Sequence, residues 1–265
     1  MNFPSYETLA LEPRGEQLML VRLNRPEALN AINTQMGRDH ADLWMRIAAE
    51  PGKLRCAVLT GAGARAFCAG GDLKERNGMT DAAWRAQHEI FERAFMALVE
   101  CPVPVIAAVN GHAFGGGLEM ALCCDFIYAV PDARFALSEV SLGIMPGGMG
   151  TQNLPRAVGE RRAKELILSA RPFSAAEGLQ WGLVNRVCEP AKLLEDALAA
   201  AQAIADNAPL AVRQAKKSIH YGLAMDLVTG YRYEIEAYNR LVDTEDRREG
   251  VRAFNEKRKP DFKGA

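Results

Sequence analysis

Two glutamates stand where glycine-rich turns meet apolar sequence, and they are the side chains of this chain best suited to move protons. Glu119 lies in the run Gly115-Gly116-Gly117-Leu118-Glu119-Met120-Ala121-Leu122, three glycines followed by residue types that suit a helix. Glycines at a strand-to-helix junction let a ligand approach the backbone, and the first N–H groups of a helix lack an internal partner. Those amides and the helix dipole favour negative charge. The dipole alone accounts for an acid in a first turn. A carboxylate among Leu118, Met120, Ala121 and Leu122 is equally a candidate general acid or base with a pKa adjusted by burial. Glu139 precedes a second glycine-rich stretch, Gly143 to Gly150, and by itself reads as a turn residue. Together the two fit a chemistry that uses a pair of carboxylates beside an anion-holding turn.

Competing chemistries lack their signatures. The chain has no G-x-S-x-G, no Walker A loop and no H-E-x-x-H; His88-Glu89 is followed by Glu92 where the second His would stand. His40, His88 and His220 fall on expected helices and read as surface or internally satisfied residues, whereas His112, close to the glycine turn, is a candidate pocket-lining residue. Gly61 to Ala66 fits the dinucleotide pattern G-x-G-x-x-A after a strand, but Gly70-Gly71-Asp72 follows where a helix must open. The six cysteines form no C-x-x-C pair and no metal-ligand spacing with the four histidines. That usage suits a reducing cytosol, and a cytoplasmic location with no metal is expected.

The bulk properties exclude several classes. With 265 residues there is ample length for a core, and a net charge of −1 argues against nucleic-acid binding. Met1 to Gly15 shows neither the basic nor the apolar part of a secretory signal, and no apolar run is long enough to span a bilayer, so no membrane partner is expected.

The elements that must position the two acids are expected as follows. Thr8–Glu12 and Gln17–Leu23 read as a hairpin, Thr34 as the N-cap of a helix reaching Ala49, and Cys56–Thr60 as a strand. A long helix is expected over Thr80–Glu100, stopped by Pro102 and Pro104. A buried strand at Val105–Val109 then leads through the turn Asn110-Gly111 and a short link to the helix of Glu119. Short strands are expected at Phe126–Ala129, Arg134–Leu137 and Val184–Val187. Helices are expected at Gly159–Ser169, Ala175–Trp181, Ala191–Asn207, Pro209–Tyr221, Met225–Val242 and Glu245–Phe254. The pattern is β/α units first and a helical tail after.

Five segments carry a family resemblance: N-R-P-E-A-L-N-A-I-N (24–33), A-F-C-A-G-G-D-L-K-E (66–75), N-G-H-A-F-G-G-G-L-E-M-A (110–121), F-A-L-S-E-V-S-L-G-I-M-P-G-G-M-G-T-Q (135–152) and T-E-D-R-R-E-G-V-R-A-F-N-E-K-R (244–258). In order and at normal separations, they make the chain resemble the crotonase, or enoyl-CoA hydratase/isomerase, superfamily. The resemblance implies an α/β fold, a crotonase-type spiral of repeated ββα units over residues 1–190. A helical C-terminal region, 191–265, would be used for trimerisation, often as a dimer of trimers. It implies acyl-CoA thioester substrates, with coenzyme A part of the substrate and no separate cofactor.

Carried over by motif, the backbone N–H groups of Ala69 and Gly116 would form an oxyanion hole for the thioester carbonyl. Ala69, Gly70, Gly71, Asp72, Leu73 and Gly116 would contact the substrate. Ala28 would border the adenine end of CoA, and Lys257, from a neighbouring subunit, its phosphates; a solvated mixed-charge helix explains Lys257 equally well. Glu119 and Glu139 match both acids of the hydratase pattern, which implies addition of water across the double bond of a trans-2-enoyl-CoA to give a 3-hydroxyacyl-CoA. Alternatives on the same scaffold are a 3-enoyl-CoA isomerase, a carnitinyl-CoA-type dehydratase or an enzyme of aromatic degradation; outside catalysis, the chain could be an interaction protein that keeps the fold. One departure from the pattern is Ser138, where many family hydratases have Pro before the second acid.

Overall fold

The structure is a computed structural model that describes residues 3–265, so the first two residues of the expected core segment lie outside it. The chain opens with the expected hairpin, strands β1 (Leu9–Arg14) and β2 (Leu18–Leu23), paired antiparallel from Leu9 opposite Leu23 to Arg14 opposite Leu18. Helix α1 (Thr34–Ala49) follows. Its cap is Asn33, whose side chain accepts from the Met36 amide at 2.9 Å, so Thr34 is the first helical residue and not the cap.

From there strands alternate between two sheets. Strands β3 (Cys56–Gly61) and β4 (Ala66–Cys68) precede α2 (Leu73–Arg76) and α3 (Asp81–Val99). Strands β5 (Val105–Val109) and β6 (His112–Phe114) precede α4 (Gly116–Cys123). Strands β7 (Phe126–Ala129) and β8 (Arg134–Ala136) precede α5 (Gly150–Val158) and α6 (Glu160–Leu168). Each pair gives its first strand to a six-stranded sheet and its second to a four-stranded one. A last turn adds β9 (Phe173–Ser174), α7 (Ala175–Gln180) and β10 (Arg186–Val187). The large sheet has the order β1-β2-β3-β5-β7-β10 and the small one β4-β6-β8-β9. This is the expected spiral of ββα units.

Strands β3 and β5 are buried at every position because the sheet is covered on both faces, which explains their unbroken small and apolar sequence. Several elements differ from expectation: β4, α2 and β9 lie where no element is expected, and the expected strand Val184–Val187 is only Arg186–Val187. The link after Asn110-Gly111 is itself strand β6, parallel to β4 and β8. Helix α5 emerges from the second glycine stretch, where Gly150 and Pro155 hide a helical pattern.

The remaining helices are α8 (Leu193–Ala205), α9 (Pro209–Gly222), α10 (Leu227–Val242) and α11 (Glu245–Asn255). Leu193, Ala197, Ala201 and Ala205 form an i, i+4 stripe on α8 that is part of the core. By packing, α8 therefore goes with the spiral, and the helical region that stands outside the core begins at α9. Lys216 on α9 ties that region back through Asp125 (2.8 Å) and the Val103 carbonyl (3.1 Å). Among the described residues no helix is long and apolar enough to cross a membrane.

Candidate active site

Two glycine turns meet at the ends of the small-sheet strands. Gly70, after β4, has φ 92°, and a Cβ there would lie 2.7 Å from the Phe114 carbonyl oxygen at the end of β6. Gly115, before α4, has φ 51° and ψ −127°, and its missing Cβ would lie 3.1 Å from Glu139 Oε1. Only glycine permits both the backbone shape and the contact. Gly71 is pinned from the side: Ile32 N–H donates to the Gly70 carbonyl at 2.7 Å and Asp72 N–H to the Ile32 carbonyl at 2.9 Å.

This geometry corrects one expected donor. The Ala69 N–H donates to the Leu29 carbonyl at 3.0 Å and is spent inside the fold. Among the described residues the Gly71 N–H has no partner, and it lies 3.9 Å from where a Cβ on Gly116 would stand. The Gly116 N–H, first in α4, has no partner within its helix. Gly71 and Gly116 therefore present the paired amides.

Glu119, in the first turn of α4, is 3 % exposed. Its Oε1 accepts from the Gly148 amide at 2.7 Å and the Gly150 amide at 2.8 Å. The second glycine stretch is thus the cradle of the first acid: a Cβ on Gly148 would stand 2.9 Å from Glu119 Oε2, and one on Gly150 2.8 Å from Oε1. Burial pushes the Glu119 carboxyl up to about 7, against the two amides that pull it down, and the nearby Glu139 charge adds to the rise. Glu139 is also buried, and burial raises its pKa as well. Neither of its carboxylate oxygens has a hydrogen-bond partner among the described residues. An acceptor left open in this way is poised for a water or a substrate atom.

Both glutamates line one cavity of about 850 Å³, together with Ala69, Gly70, Gly71, Leu73 and Gly116. Three expected contacts do not line it. Ala28 ends a short 3-10 turn outside the cavity. Asp72 caps α2 and pairs with Arg25 at 2.9 Å, so it shapes the turn from behind. Lys257 is exposed beyond the end of α11.

His112 is exposed and stacked on Phe114, away from the cavity; the histidine that does line it is His88. Trp84, His88, Phe91 and Phe95 recur along one face of α3 and form a wall, and Leu142, Ile144 and Met145 line the same cavity. Their helical spacing is a signal present in the sequence. The site is a mostly apolar cleft lined by two carboxylates and by the turns that carry the two amides.

The sequence profile of the enoyl-CoA hydratase/isomerase family matches residues 14–265. The chain belongs to that family. It is 41% identical over 249 residues to the short-chain-enoyl-CoA hydratase of Clostridium acetobutylicum, covering 94% of this chain and 95% of that one. It is 41% identical over 245 residues to the (E)-benzylidenesuccinyl-CoA hydratase of Thauera aromatica, covering 92% and 95%. The crystal structure of enoyl-CoA hydratase from Bacillus anthracis superposes with a TM-score of 0.95 at 41% identity, covering 98% of this chain and all of that one. The expected crotonase fold is thereby established.

The buried acid has a measurable cost. The Glu119 carboxyl is raised from 4.5 to about 7, so between those values the folded chain holds a proton that the unfolded chain has released. Stability therefore falls as pH rises through that window and stays reduced above it, by up to about 3 kcal/mol. Glu119→Gln keeps an oxygen for both amides and removes the charge. Denaturant titration should find the variant more stable than the parent at pH 8 and the difference shrinking toward pH 4; equal stability at both pH values would contradict this burial.

Proposed function

We propose that this enoyl-CoA hydratase family member adds water across the double bond of a trans-2-enoyl-CoA with Glu119 and Glu139 as its proton-transfer groups. The thioester oxygen would sit between the Gly71 and Gly116 amides. As water oxygen bonds to C3, charge builds on that oxygen in an enolate-like state, and fixed amides stabilise it without reorganising. Each such donor is worth about 3 kcal/mol of transition-state stabilisation. One glutamate takes a proton from the water and the other, protonated, delivers one to C2. The pair titrates as a unit, so roles belong to the pair's proton count and not to either residue alone.

The observation that carries this reading is the contrast between the two acids in one cavity. Glu119 is held by two backbone amides and titrates near neutrality, while Glu139 has both oxygens unmet. Two carboxyls in one site, both raised by burial, can supply an acid and a base to the same substrate. The acyl chain would run along the wall of α3, and Leu73 would border the thioester end. Ala28 would border the adenine.

The same reading includes self-association as a trimer or a dimer of trimers. Helices α9 to α11 expose Leu223 (71 %), Leu227 (88 %) and Phe254 (84 %), and Ile219, Tyr231 and Tyr238 are exposed beside them. An apolar surface of this extent favours burial against another copy. Lys257, exposed at the end of α11, would then reach CoA phosphates across a subunit boundary.

Crotonyl-CoA tests the chemistry, followed by loss of the conjugated thioester absorbance. Glu119→Gln and Glu139→Gln should each lower kcat by at least roughly 10²-fold, the low end for loss of a general acid or base. Near-parental hydration by either folded variant would remove that residue from the mechanism. Light scattering tests the assembly: the chain should run as a trimer or hexamer of its 29.0 kDa unit, and Leu227→Glu with Phe254→Glu should shift it toward monomer. A monomeric parent would overturn the assembly.

A further inference from the structure

Two arginines line the active-site cavity: Arg85 is exposed, whereas Arg76 is half-buried and has no assigned task. Arg76 ends α2 and lines the cavity wall. Its Nε donates to Gln87 Oε1 at 2.8 Å, and Gln87, 3 % exposed, is itself fixed by donating to Thr34 Oγ1 and Glu75 Oε2, both at 2.8 Å. The guanidinium lies over Trp84, 4.2 Å from the ring centre, and 5.4 Å from that of Phe91. Orientation is therefore set from one edge and one face. The other edge, Nη1 and Nη2, has no hydrogen-bond partner among the described residues, and Arg76 forms no ion pair among them. The acid beside it in sequence, Glu75, is committed to the Thr34 amide and Gln87. Neither Glu119 nor Glu139 pairs with it.

The guanidinium lies against the reacting end of the site. Arg76 Nη1 lies 3.5 Å, and Cζ 3.6 Å, from where a Cβ on Gly71 would stand, and Gly71 supplies one of the two unpartnered amides. A half-buried guanidinium with no direct ion pair, and only the Glu75 charge nearby, is costly to retain for packing alone, because an apolar side chain would fill the same space. Two parallel N–H groups on a fixed edge match a carboxylate in its bidentate geometry. The acids elsewhere on the wall, Glu89 and Glu92, are exposed, and Glu92 faces His88 at 3.5 Å, so they leave this edge unclaimed.

We propose that Arg76 recognises a carboxylate in the acyl group of the substrate, making the preferred substrates short enoyl-CoA thioesters that carry a second acid. This rests on the acyl-CoA reading of the site and narrows it from enoyl-CoA in general to acidic acyl-CoAs. Arg76 is a specificity residue: it grips the second carboxylate of a short acyl group and takes no part in proton transfer.

Binding of saturated analogues tests the inference without relying on turnover. Calorimetry should give glutaryl-CoA a Kd at least tenfold below that of hexanoyl-CoA, the range of about tenfold to a hundredfold expected for a hydrogen-bonded charge. In Arg76→Met that ratio should fall toward one, with Arg76→Lys between the two. Among unsaturated substrates, kcat/KM should favour glutaconyl-CoA over hexenoyl-CoA by a similar factor. Equal or weaker binding of glutaryl-CoA to the parent chain overturns the proposal, whether or not the variants fold. So does an Arg76→Met variant that weakens both analogues alike, which would place the cation on the CoA moiety. Failure to hydrate crotonyl-CoA or glutaconyl-CoA, with the glutaryl-CoA preference intact, would instead overturn the hydratase chemistry and leave the carboxylate site standing.

Discussion

The structure around the active site depends on keeping one carboxylate, that of Glu119, almost wholly out of water. An uncompensated buried charge is among the most costly groups a fold can hold. Here compensation is partial: two backbone amides, from Gly148 and Gly150, converge on one oxygen. Two amides reduce the desolvation penalty without cancelling it, which leaves the carboxyl titrating at about 7 instead of near 4.5. A tighter cage would give a permanent anion and a looser one a permanently neutral acid. A carboxyl caged this incompletely can exchange a proton near neutral pH.

That requirement accounts for much of the local architecture. Gly148 and Gly150 are small because a Cβ on either would press on the carboxylate. Gly115 is small because Glu139 stands against it, and Gly70 because the Phe114 carbonyl does. The two sheets bring these turns together: β4 and β6 are parallel neighbours, so the segments leaving their C-terminal ends emerge side by side. The spiral thus converts distant stretches of sequence into one edge, with the amides of Gly71 and Gly116 on it. The tie between Ile32 and the backbone around Gly71 holds that edge in place from the N-terminal third of the chain.

Much of this was legible in the sequence where a local pattern carried it. Val105–Val109 reads as a buried strand, and three glycines before Leu118 read as an amide-presenting helix start; both stand in the structure. Glu119 and Glu139 stood out through their apolar or glycine-rich surroundings. What was not legible depended on partners far away in the chain. Whether Ala69 or Gly71 has a free amide is decided by the Leu29 carbonyl, which no spacing within the motif reveals. His112 lies beside the glycine turn in sequence yet points off the strand into solvent, while His88 reaches the cavity from α3. Arg76, an arginine in a mixed-charge segment, looks in sequence like a solvated one; only its packing under Trp84 and the lack of a direct ion pair distinguish it.

The proposed chemistry requires Glu119 and Glu139 to act on one water and one substrate as a single unit. Kinetics of crotonyl-CoA hydration by the double variant Glu119→Gln/Glu139→Gln, set beside both single variants, measure this directly. Residues that work as a unit are strongly non-additive, because removing either already disables the step the other serves. The double variant should lose about as much kcat as the worse single variant, within a few-fold. A loss equal to the product of the two single losses would show two independent contributions and contradict it.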